Sequence, residues 1–198
     1  MDERTLLRYT RGLKRARVVV APGLDAAEIG DVERAYGFQF PPDLKALLMY
    51  ALPVSDDFID WRRGPPERIL NRLSWPLDGI CFDIAHSAFW LPEWGDKPDA
   101  IEEACAVAER AVAAAPPLIP IKGHRYIPAL PHEAGNPVFS VYQKDIIIYG
   151  RDLWDYLENE FAAAFGRPGF QDNGPIKSIP FWTRLAVLNH GINPDFIQ

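Results

Sequence analysis

Nineteen prolines, close to twice the ~5% of an average chain, punctuate this 198-residue sequence and point to many short elements. Proline fixes φ, lacks an amide donor and disfavours helix in the residue before it. A proline outside a first helical turn therefore ends an element. Pro41, Pro42, Pro53, Pro66, Pro98, Pro116 and Pro180 all stand where apolar periodicity begins or stops. Between them the spacing predicts helices over 3–16, 25–36, 43–52, 66–73, 96–115, 152–165 and 180–189. The second has a capping box, Asp25 with Glu28, and a stop at Gly37. Gly12 weakens the first helix relative to alanine.

Short alternating or β-branched runs predict strands over 80–84, 89–90, 118–121, 126–129, 138–143 and 145–149. The last four follow one another across tight turns, the mark of an antiparallel meander and not of βαβ crossovers. Pro120 and Pro128 move their strands towards an edge. Helices, then a meander, then helices is an α+β order. The expected architecture is a single domain with a curved antiparallel sheet of about four to six short strands packed against several helices. Residues 1–22 form a basic N-terminal helix or arm, and 23–198 form the body.

Charge narrows the partners. The chain carries net −6, but residues 1–20 hold six bases against two acids, for +4. The other 178 residues hold 15 bases against 25 acids, for −10. An acidic body repels phosphate backbones and attracts basic partners, so no nucleic-acid partner is expected. The basic arm reads as a solvated helix face, with nucleic-acid or membrane binding as its alternative. Cys81 and Cys105 lie in apolar surroundings without ligand spacing, which fits buried thiols in a reducing compartment. No signal-like apolar run and no span of 18 apolar residues occurs, so a cytoplasmic location without a membrane span is expected.

No phosphate loop, dinucleotide fingerprint, nucleophile elbow or metalloprotease motif is present. The histidines are His86, His124, His132 and His190, and no metal or other cofactor is expected. His124 and His132 flank a strand, and a metal site with Glu133 or Asp145 is their alternative to backbone tethering. Trp61, Trp75, Phe82, Phe89, Trp90 and Trp94 form an aromatic cluster that serves packing first and a binding cleft second.

Several ordered motifs resemble a known family. Tyr36-Gly37-Phe38-Gln39-Phe40-Pro41-Pro42-Asp43-Leu44 is similar to the entry motif of the SUKH superfamily. That superfamily includes bacterial toxin-immunity proteins and a fungal cell-wall-assembly regulator. The similarity continues at Phe58-Ile59-Asp60-Trp61-Arg62, at Trp75-Pro76-Leu77-Asp78-Gly79-Ile80-Cys81-Phe82-Asp83 and at Phe89-Trp90 with Trp94-Gly95 and Pro98. It resumes at Leu118-Ile119-Pro120-Ile121-Lys122-Gly123-His124-Arg125-Tyr126-Ile127-Pro128 and at Gly135-Asn136-Pro137-Val138-Phe139-Ser140-Val141-Tyr142-Gln143. Asp145 to Tyr149 and the helix from Asp152 resemble the family's final strand and helix. It spans about 28–165 and leaves 1–20 and 166–198, a C-terminal extension, unmatched.

The resemblance implies an α+β fold and a non-enzymatic role in which an acidic, aromatic surface docks a protein partner such as a basic toxin. Gly37, Pro41, Gly79, Gly95, Pro120, Gly123, Pro128, Asn136 and Pro137 are its structural positions. Candidate partner-binding residues are Asp56, Asp57, Asp60, Trp61, Trp90, Trp94, His124, Arg125 and Asp145. The alternative is a small-molecule-binding or hydrolytic cleft near Trp90, Trp94, His124, Arg125 and Asp145.

Overall fold

The computed structural model describes residues 2–55, 57–168 and 175–190. The elements run α1 (Glu3–Arg15), β1 (Val20–Pro22), α2 (Ala26–Tyr36), α3 (Pro42–Tyr50), β2 (Ala51–Pro53), α4 (Pro66–His86) and α5 (Ile101–Ala114). They continue with β3 (Leu118–Lys122), β4 (Arg125–Pro128), β5 (Val138–Tyr142), β6 (Asp145–Gly150), α6 (Leu153–Glu160), α7 (Ala162–Phe165) and α8 (Trp182–His190). The chain is α+β. A two-stranded sheet pairs β1 with β2, and an antiparallel meander is ordered β3-β4-β5-β6.

Local chemistry accounts for most boundaries. Asp2 caps α1 by accepting from the Thr5 amide at 2.9 Å. In α2 both capping-box bonds form, Glu28 N–H to Asp25 and Asp25 N–H to Glu28, and the helix stops at Gly37 with φ 72°. Pro42 and Pro66 occupy first helical positions, where the missing amide is unpaired anyway. Pro120 sits on the edge strand β3. Pro128 ends β4 beyond its last pairing with β5, Tyr126 to Phe139, so neither proline breaks a ladder. Gly12 has a packing reason: a Cβ there would lie 2.1 Å from the Phe165 ring, which rests on α1.

The expected strand at 80–84 is instead the second half of α4, a 21-residue helix. Ile80 and Ile84 are buried at i, i+4, a spacing that five residues cannot distinguish from a strand's. The helix also passes through Pro76, which removes the amide that would bond the Arg72 carbonyl. The fully buried Tyr126 hydroxyl donates to that carbonyl at 2.8 Å and replaces the lost bond. Residues 89–90 are not a strand either. The helix expected over 43–52 ends at Tyr50, because the next three residues pair with β1. The last long helix breaks into α6 and α7 at Phe161 (φ −120°).

The four-stranded sheet is covered on both faces. Ile119, Ile121, Ile127 and Val138 join the core built with α1, α2, α3 and α6. Leu118, Tyr126, Phe139, Val141, Ile146 and Ile148 join the core built with α4, α5 and α8. Tyr9 and Leu13 are buried in the first core, so α1 is part of the body and not a free arm.

Candidate functional site

Helix α4 is docked on the β5–β6 turn by three residues spaced four apart, which share one face. Trp75 Nε1 donates to the Val141 carbonyl at 3.2 Å. Gly79 lies so close to Gln143 that a Cβ would sit 2.8 Å from its Cα. Asp83, 2% exposed, accepts from the Lys144 amide at 2.6 Å and the Ser87 hydroxyl at 2.8 Å. This seam holds Gln143 at φ 56°, a left-handed turn position that a non-glycine residue adopts at a cost.

Beside the seam a groove of about 310 Å³ is lined by Asp57, Arg72, Trp75, Lys122, Gly123, His124, Arg125, Tyr142 and Glu160. Glu160 on α6 accepts from Lys122 Nζ at 2.9 Å and Arg125 Nε at 3.2 Å. Arg125 also donates to Ser140 Oγ at 2.7 Å and lies 3.8 Å over the Tyr149 ring. The His124 ring meets Tyr142 edge-on at 6.1 Å. Burial, then the Arg125 charge, lowers the His124 pKa below its ordinary value, which keeps the ring neutral at pH 7.

The helix pair α4–α5 presents a second surface. Residues 74–109 contain eight acids and one base, for −7, more than the net charge of the whole chain. The one base, Lys97, donates to the Ile84 carbonyl at 2.7 Å, and Glu93 pairs with Arg184 at 2.8 Å. Among the described residues no cation pairs with Asp78, Asp96, Asp99, Glu102, Glu103 or Glu109. Glu102 and Glu103 also face the positive end of α5. Asp78 and Glu109 have no such role, and both act on the Cys81 thiol between them. Burial first, then Cys105, pushes that thiol up to about 12, so it stays protonated at neutral pH. Phe82 and Ile101, 47% and 49% exposed, add apolar area to this acidic surface.

The residues expected to meet a partner are scattered. Asp57, His124 and Arg125 converge on the groove. Asp60 instead builds a turn, its carboxylate accepting from the Arg62 and Arg63 amides at 3.0 Å each. Trp61 is 6% exposed and packs edge-on against Phe38 and Phe40, so it belongs to the core and not to a docking surface. Trp90 and Trp94 pack on each other at 5.1 Å, with Trp90 Nε1 bonded to the Gly95 carbonyl, and do not line the groove. Asp145 opens β6 opposite Tyr142, also outside the groove lining. The single cleft expected from Trp90, Trp94, His124, Arg125 and Asp145 is therefore not formed. Asp56 lies outside the described residues.

Of the structural positions, Asn136 is a buried tether, its amide donating to the Pro128 and Pro131 carbonyls. Pro137 is buried beside it, and Gly95 and Gly123 sit in turns. His132 Nε2 contacts the Phe40 carbonyl at 3.1 Å. Sequence reasoning did not place Arg72, Lys122, Tyr142 or Glu160 in a site. Arg72 and Glu160 fall in helices that the sequence predicts, 66–73 and 152–165, but nothing local aims them at one groove. No protein-family model, no curated protein and no solved structure matches the chain.

Proposed function

We propose that this chain is a non-enzymatic protein-binding module, of the kind the SUKH resemblance implies, that docks a basic protein through the α4–α5 surface. One observation carries the reading: the −7 segment at 74–109 keeps most of its carboxylates without cationic partners beside exposed Phe82 and Ile101. Like charges left unpaired along one segment repel each other. A partner's lysines and arginines relieve that repulsion and speed encounter. The aromatic and aliphatic side chains supply apolar contact at the centre. A toxin carrying a basic substrate cleft is the partner class the resemblance suggests.

The test is affinity capture from native lysate, with the wild-type chain and an Asp78→Lys/Glu109→Lys variant as parallel baits. A stoichiometric basic protein should stay on the wild type and be lost from the variant. Equal retention on both baits, or no stoichiometric partner on either, contradicts the proposal.

A further inference from the structure

We infer that the groove between α4 and the β3–β4 turn is a binding site for a small monoanion carrying a flat ring, an aromatic carboxylate. The inference is independent of the α4–α5 docking reading and uses none of the carboxylates that carry it, although Trp75 lies within the same 74–109 segment. Three cations, Arg72, Lys122 and Arg125, face two carboxylates, Asp57 and Glu160, so the groove is net +1 within a body that is strongly negative. His124 adds a polar ring without charge. The charge surplus matches one carboxylate and not a doubly charged phosphomonoester.

The donors are prearranged. Glu160, 14% exposed, fixes both Lys122 and Arg125 in place. Charged groups withdrawn from water to this degree attract a counter-charge more strongly than surface pairs do. Arg72 is different: its guanidinium lies 5.5 Å from the Trp75 ring and pairs with no carboxylate among the described residues. That leaves its planar fork of donors for a ligand carboxylate. Trp75 and Tyr142 have centroids 6.3 Å apart and are 36% and 53% exposed, and the indole is held in position by its bond to Val141. Their planes are tilted by 54°, so they form an angled apolar corner next to the donors, with each ring able to take one face or edge of a flat ligand. The volume, about 310 Å³, is at the lower end of small-ligand sites and suits one fused ring system.

The experiment is an NMR titration of the full isotope-labelled chain with three probes: 2-naphthoate, acetate and 2-naphthol. Naphthoate should shift the Trp75 indole N–H and the His124 ring signals, and bind at least about tenfold tighter than acetate or naphthol, because only it has both ring and charge. Arg72→Ala should weaken naphthoate about tenfold and leave naphthol unchanged. Tyr142→Ala should weaken naphthoate and naphthol alike. The inference is overturned if naphthoate moves no groove signal, if it binds no better than naphthol, or if Arg72→Ala leaves its affinity intact.

Discussion

The helices on the two faces of the meander handle charge in opposite ways. On the face built from α1, α2, α3 and α6, carboxylates are consumed internally. Arg8 and the Tyr9 hydroxyl share Glu158, Arg62 holds Glu28, Lys45 holds Glu33, and Arg167 reaches Asp155 at 2.9 Å. On the α4–α5 face most acids lack a cation, Glu93 with Arg184 excepted. Both faces also hold a buried carboxylate bonded to amides and not to a cation, Asp43 on the first and Asp83 on the second. Exposed pairs add little stability individually. What distinguishes the two faces is the charge left over, which the first face neutralises and the second presents to solvent. Composition alone suggested an acidic body; in the structure six carboxylates between Asp78 and Glu109 have no cationic partner among the described residues.

The contrast can be broken at the seam that holds α4 in place. Gly79→Leu drives a side chain into the Gln143 backbone, and the resulting overpacking should lower stability by about 3 kcal/mol in denaturant titration. A loss near zero would mean that the seam is not tightly packed. Asp83→Ala leaves the Lys144 amide without its acceptor and should cost about 1–3 kcal/mol, with faster hydrogen exchange at that amide. Unchanged exchange there would contradict the tether.

The opposite face is tested by acid. The Arg62 hydrogen bond, then the Asp25 amide, hold the Glu28 carboxyl at about 2 against an ordinary 4.5. A lowered folded pKa contributes stability above about 4.5 that is lost as pH falls towards 2. Glu28→Gln should flatten that part of the stability-pH curve. An unflattened curve in that variant would contradict the Glu28–Arg62 pairing.

How much of this the sequence showed depends on the range of the interaction. The Asp25–Glu28 capping box, the proline starts at Pro42 and Pro66 and the four-strand meander rest on neighbours a few residues apart, and each forms as read. The second half of α4 was hidden because its helix depends on Tyr126, 54 residues away from the carbonyl it satisfies. Trp61 looked like a surface anchor until Phe38 and Phe40 closed over it. The groove joins Asp57, Arg72, His124, Tyr142 and Glu160 from five separate segments, a juxtaposition with no spacing rule. The acidity of the body, −10 outside residues 1–20, was legible as composition. Which of its carboxylates lack partners was not.

The most direct test of the account measures the affinity of the captured partner by calorimetry against three proteins: the wild type, Asp78→Lys/Glu109→Lys on the open face, and Arg4→Glu/Arg11→Glu on the exposed face of α1. The account predicts that the first variant binds about 100-fold more weakly, because it puts like charges together across the contact, and that the second stays within about threefold of wild type. Loss of binding through the α1 variant, with the α4–α5 variant unaffected, would contradict it.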